Sequence, residues 1–193
     1  MRLHPRWTDR VRAFDKAVDK GLDRVRNPTL DRVMYAVTEL GDFSLIWHIV
    51  AVGRGLRSDR DAADALRIAT ILGGESVLVN GVIKSFFKRN RPAWEQERAY
   101  RIRKPRSSSF PSGHGSAAFT AAAVLSEGDP LKPVYYTLAA LVATSRVYVK
   151  IHHASDVVGG IATGVVLGAV AKRVWPRPAD GNPLSGFRNT SSE

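Results

Sequence analysis

The chain contains no cysteine. Disulfides and thiolate metal sites are thereby excluded. It also lacks the H-x-x-x-H and H-E-x-x-H spacings that place zinc ligands on one helix face. No helix-turn-helix, RNP or zinc-finger pattern is present to make use of the positive charge. The N-terminus is charged and has no apolar h-region, so no cleavable signal peptide is expected. Long runs free of ionisable residues are scarce: most of the apolar segments carry one or two. In a membrane such residues usually face the bundle interior or a site.

What is present is unevenly distributed. The 193 residues fit one domain by length, with a formal net charge of +11 and 44% hydrophobic residues. A slightly negative mean hydropathy suggests a soluble protein. The average misleads, because charge concentrates in residues 1–28 and in the stretch from Lys88 to Arg106. Such a balance fits nucleic acid, an anionic membrane surface or a phosphorylated substrate.

In residues 1–28, Val11, Phe14, Val18, Leu22 and Val25 recur at spacings of three and four. An amphipathic helix is predicted, lying on a membrane interface or against the bundle, with a solvated arm as the alternative. Apolar segments follow from Leu30 to about Leu56, Asp64 to Phe87, Ser112 to Ser126, Pro133 to Lys150, and Asp156 to Trp175. The fold expected is all-α: a bundle of about five long helices, predicted transmembrane, plus the N-terminal helix. Gly/Ala-rich faces and aromatic residues near segment ends favour membrane integration over a soluble bundle. The division expected is an arm at 1–28, a catalytic domain at 29–175 and a disordered tail at 176–193. Gly160-x-x-x-Gly164 is expected to serve internal packing, with a dimer face as the alternative.

Three short blocks carry chemistry. The first places Lys84 and Arg91 seven residues apart, about two helical turns. The second, Pro111-Ser112-Gly113-His114, is a small-residue turn with a histidine. The third runs from Ser145-Arg146 to His152 and Asp156. On a helical turn, residues i and i+4 are neighbours, so Asp156 can orient the His152 ring. His153, at i,i+3 from Asp156, satisfies the same physics. Any one of these cations, taken singly, reads more readily as a solvated or membrane-phosphate contact. His48 and His4 are expected to be structural or incidental.

In order, K-x6-RP, PSGH and SR-x5-H-x3-D resemble the signature of the type 2 phosphatidic acid phosphatase (PAP2) superfamily. All positions are intact between Lys84 and Asp156. The resemblance selects His152 over His153. It implies His152 as nucleophile, Asp156 as its orienting carboxylate and His114 as general acid and then base. Lys84, Arg91, Ser112, Gly113 and Arg146 are implied to bind the phosphate, with no metal and no cofactor. The partners implied are a lipid phosphate and the cell membrane, with no nucleic acid. A polyprenyl-linked substrate is expected, such as decaprenylphosphoryl-5-phosphoribose or undecaprenyl diphosphate, with phosphatidic acid as the alternative. A haloperoxidase of the same fold and a non-catalytic scaffold are the remaining readings. Five spans would put the basic arm and the motifs on one face, which the positive-inside rule makes cytoplasmic.

Overall fold

The computed structural model describes residues 6–92, 99–103 and 107–184. All regular elements among them are helical. The expected arm is α1, Arg6–Arg24. It docks on the bundle: Val18 and Leu22 pack against a cluster of Ala143, Val147, Ala154 and Val157. Phe14 and Val25 stay exposed.

The segment expected as one span from Leu30 to Leu56 is broken. Asn27 caps α2, Pro28–Leu40, by accepting the Leu30 amide at 2.9 Å, and Pro28 supplies the preset φ of a first helical residue. The chain then turns through Gly41, with Phe43 and Ser44 both at positive φ, into α3, Leu45–Gly55. The two helices are bent by 70°. Asp42 lies in this turn, between the two helices.

Ser58 caps α4, Asp59–Ser76, which continues through a π-helical turn at Val77–Val82 and a 3-10 turn at Ile83–Phe86. This 28-residue rod and the 21-residue α7, Ala154–Val174, are long and apolar enough to cross a bilayer, and the bent pair makes a third candidate. Between them lie α5, Gly113–Leu125, and α6, Lys132–Tyr148. Large apolar side chains face outward along the long helices, including Leu66, Val77, Val166 and Val170. This is the pattern of a lipid-facing surface rather than a wet one. The protein is a multi-pass membrane protein.

Close packing concentrates on α5 against α7. A Cβ on Gly160 would sit 2.4 Å from the Ser112 carbonyl oxygen, and one on Gly164 would sit 2.3 Å from that of Ser116. Gly168 meets Ala123 in the same way. The G-x-x-x-G is therefore an internal seam, as expected, and its small residues let two backbones touch.

The expectation of a disordered tail from 176 fails for its first nine residues. Arg177 pairs with Asp61 and lies 3.2 Å from Asp64. The Trp175 indole N–H donates to the Pro183 carbonyl at 2.9 Å, and Arg60 donates to the Pro178 carbonyl at 2.8 Å. Composition alone missed this because the partners are distant carboxylates and carbonyls. The rest of that tail, residues 185–193, lies outside the described residues.

The seam yields a stability test. Gly164→Ala should destabilise by about 1–3 kcal/mol, the usual cost of overpacking. Gly73→Ala, with nothing within 4 Å of its added Cβ, should be neutral or slightly stabilising. Thermal unfolding of both variants in detergent is the check; equal effects would contradict a packed seam.

Candidate active site

All three sequence blocks converge at one end of the bundle. The first does so differently from expectation. Helical structure ends at Phe86, so Lys84 and Arg91 do not share a helix face: Arg91 sits in extended chain. The π turn just before Lys84 re-aims the end of the rod. It leaves Asn80 one turn back, where its Oδ1 accepts from the Lys84 ammonium at 2.8 Å.

Arg91 reaches the third block directly. Its NH1 donates to the Ile151 carbonyl at 2.8 Å and stands 2.9 Å from His152 Nε2. NH2 donates to the Ser108 carbonyl at 3.2 Å. Arg146, near the end of α6, is buried and donates to Thr38 Oγ1 at 2.5 Å. The second block starts α5. Ser112 Oγ accepts the Gly115 amide at 3.3 Å as a helix cap. A Cβ on Gly113 would lie 2.7 Å from Asn80 Oδ1 and 3.4 Å from Lys84 Nζ. A side chain there would displace the Asn80 amide that holds the ammonium.

His152 and Asp156 are also arranged differently from the helical i,i+4 pair expected. His152 lies in the turn before α7, its amide donating to the Arg146 carbonyl at 3.1 Å. His153 is the residue that caps α7. Asp156, in the first turn of α7, accepts the His153 amide at 2.8 Å and the Ser109 hydroxyl at 2.5 Å, both on Oδ2. That oxygen stands 3.6 Å from His152 Nδ1, beyond a direct hydrogen bond. Asp156 Oδ1 faces Arg89 NH1 at 2.9 Å.

Burial pushes the His152 imidazole down to about 3, against the pull of Asp156 and assisted by Arg91 and Arg146. The ring is therefore neutral near pH 7. Burial likewise lowers the Arg91 guanidinium.

Four side chains that sequence reasoning did not single out complete the site. Asp42 Oδ1 lies 2.8 Å from His114 Nε2 and 3.9 Å from Arg146 NH1. Gly41 presses on the same ring, leaving 2.7 Å between a built Cβ and His114 Cδ2. Ser109, Arg89 and Asn80 hold Asp156 and Lys84 as described. Asp42 was visible only as a carboxylate interrupting an apolar segment; the turn that aims it is invisible in sequence. No cluster of three or more metal-ligating residues occurs among the described residues.

The PAP2 superfamily model matches residues 64–179, well over half of the chain. The chain belongs to the PAP2 superfamily. It is 32% identical to phosphatidylglycerophosphatase B of Bacillus subtilis over 83% of this chain and 82% of that protein. It is 26% identical to decaprenylphosphoryl-5-phosphoribose phosphatase of Mycobacterium tuberculosis over 78% and 83% of the two chains. Among solved structures, the transmembrane PAP2-type phosphatidylglycerolphosphate phosphatase from Bacillus subtilis superposes with a TM-score of 0.65 at 30% identity, over 89% of this chain and 87% of that one. Like these relatives, this PAP2 protein is a membrane phosphatase acting on lipid phosphates.

Two measurements test the geometry. His152, with its folded value below the ordinary 6.5, should show no imidazole titration between pH 5 and 8 by NMR of the labelled protein in micelles. The sign follows from linkage: the unfolded chain binds the extra proton, so this contribution to stability is complete above about 6.5 and lost as pH falls towards 3. A midpoint near 6.5 in the folded protein would contradict the buried neutral ring. Separately, Asp42→Asn should lower kcat by about 10- to 100-fold, within the range of general-acid contributions, with KM little changed. An unchanged kcat would remove Asp42 from the site.

Proposed function

We propose that the protein hydrolyses a lipid phosphate monoester or diphosphate through a phosphohistidine on His152. The observation that carries this is the state of three buried or half-buried cations. Lys84 is held by the neutral amide of Asn80, Arg91 by carbonyls and an imidazole, and Arg146 by Thr38, with Asp42 only at 3.9 Å. They stand close enough to feel one another's charge, with Glu75, Asp156 and Asp42 offsetting part of it. Gathering like charges away from water is costly unless an anion completes the set. A phosphate monoester, close to doubly negative near neutral pH, is such an anion.

The His152 Nε2 lone pair attacks phosphorus, while its Nδ1–H faces Asp156, which stabilises the imidazolium that forms. Arg91, already against Nε2, passes its donors to the non-bridging oxygens together with Lys84, Arg146 and the backbone amides opening α5. The P–O bond breaks and the leaving oxygen takes a proton from His114. Burial disfavours the charged form of His114, so Asp42 and the bound phosphate together supply the negative charge that its protonation needs. His114 then removes a proton from water, whose oxygen attacks the phosphorus of the phosphohistidine. The P–N bond breaks, phosphate leaves and His152 is regenerated neutral.

A polyprenyl-linked phosphate is supported by the likeness to the decaprenylphosphoryl-5-phosphoribose phosphatase. A second reading, phosphatidylglycerol phosphate, is supported by the higher identity to the Bacillus enzyme. Both offer a terminal phosphate on a lipid, which is what the cation cluster reads. The docked basic helix α1 lies on the site's face, and we place that face towards the cytoplasm by the positive-inside rule.

The test is phosphate release by detergent-purified protein from phosphatidylglycerol phosphate, phosphatidic acid, a polyprenyl diphosphate and a prenyl-phosphoryl pentose phosphate. At least one should be turned over, the rate should persist in EDTA, and His152→Ala should lose about 10³-fold or more. Activity of His152→Ala near wild type, or full loss in EDTA restored by one divalent ion, would overturn the mechanism.

A further inference from the structure

We propose that α1 belongs to the catalytic apparatus: its Asp15, acting through Arg89, is a positioning residue for Asp156. This rests on Asp156 being the partner of His152, as read above.

One guanidinium bridges two carboxylates. Arg89 NH2 stands 2.7 Å from Asp15 Oδ2, and NH1 stands 2.9 Å from Asp156 Oδ1. Asp15 also grips the first turn of α7, where Asp156 sits. Its Oδ1 accepts the Ser155 amide at 2.8 Å and its Oδ2 accepts the Ser155 hydroxyl at 2.9 Å. An acidic group at a helix N-terminus satisfies free amides and matches the helix dipole. Asp15 is thus tied to Asp156 twice, through the guanidinium and through the backbone of the adjacent residue.

Docking of α1 does not require this arrangement. The helix is already fastened by Asp19 and Asp23 on Lys150, and by Arg26 on the Tyr148 carbonyl. Those contacts lie on half-exposed carboxylates. Asp15 is the buried member of the stripe, 8% exposed, and it is the one aimed at the catalytic turn. Asp156 needs such support on Oδ1, because Ser109 and the His153 amide hold only Oδ2. Arg89 is the contact that holds the second oxygen, so the carboxylate is fixed at both ends while Oδ2 faces His152 Nδ1. Catalysis is sensitive to sub-ångström placement of such groups.

The experiment measures kcat and KM of the full-length protein in detergent on each substrate of the panel above. The variants are Asp15→Asn, Asp15→Ala, Arg89→Ala, the double Asp15→Ala/Arg89→Ala, Arg89→Lys, and Asp23→Asn as a docking control. Asp15→Asn keeps shape and an acceptor for Ser155, so it should fold as wild type by thermal unfolding. Asp15 and Arg89 single variants should lose roughly 5- to 30-fold in kcat with KM within about twofold. The double variant should be no worse than the weaker single, because one chain of contacts is cut twice. Arg89→Lys should recover part of the loss, and Asp23→Asn should stay within about twofold of wild type. Unchanged kcat in Arg89→Ala, additive losses, or losses confined to KM would overturn the proposal while leaving the phosphohistidine reading intact if His152→Ala is dead. No turnover of any substrate by wild type, or an active His152→Ala, would overturn both.

Discussion

The structure depends on burying positive charge against mostly neutral acceptors, with Asp42, 3.9 Å from Arg146, the one ion-pair contact of these cations among the described residues. Lys84, Arg91 and Arg146 lie where a helical bundle would otherwise place apolar side chains. Removing a cation from water costs several kcal/mol, even after relaxation. Neutral acceptors offset part of that cost: Asn80 for Lys84, Thr38 for Arg146, and the carbonyls of Ser108 and Ile151 for Arg91. Each acceptor comes from an element whose position is otherwise unremarkable. The π turn delivers Asn80, the last turn of α2 delivers Thr38, and the loop before α5 delivers Ser108. The fold thus spends local regularity on the site: a π turn, two positive-φ residues and a helix that begins on glycine.

The opposite end of the bundle shows what the same residue types do when no ligand is called for. There Arg67 pairs with Asp64 at 2.7 Å and with Glu127. Arg54 lies 3.3 Å from Asp64 and 3.4 Å from Asp129, and Arg177 joins Asp61. Every arginine in this group faces carboxylates, so the cluster is neutralised from within and clamps the α3–α4 connection, the α5–α6 connection and the segment after α7. Buried charge alone therefore does not mark a site. Buried charge held by neutral groups, next to a neutral histidine, does.

Sequence revealed the chemistry better than the geometry. The three blocks were readable because phosphate binding needs fixed residue types at fixed spacings. The helical periods were readable because the apolar segments are long. What escaped were features set by distant partners. The bend between α2 and α3 arises at Gly41-Asp42-Phe43-Ser44, a stretch whose apolar flanks look continuous. The i,i+4 relation of His152 to Asp156 suggested a helix, yet His152 precedes α7 because its amide returns to the Arg146 carbonyl. Residues 176–184 looked like a polar tail because nothing local shows that Arg177 has Asp61 and Asp64 to meet.

The N-terminal helix shows how one amphipathic pattern can hold two messages. Its apolar residues predicted a face for the bundle or the membrane, and Val18 and Leu22 do pack inward. Its carboxylates at Asp15, Asp19 and Asp23 recur every four residues, which places them along one stripe of the helix. A solvated stripe of that kind is worth little, since exposed ion pairs contribute about 0–1 kcal/mol. Here the stripe meets Arg89, Ser155 and Lys150, all in or beside the turns that carry Arg91, His152 and Asp156. The periodicity that drives docking therefore also sets the register of the carboxylates against those turns. Sliding α1 by one residue would turn the stripe by about 100° and take Asp15 off Arg89. Hydrophobic burial of Val18 and Leu22 opposes that slide, so packing fixes the register and the register aims Asp15 at the turn that carries Asp156.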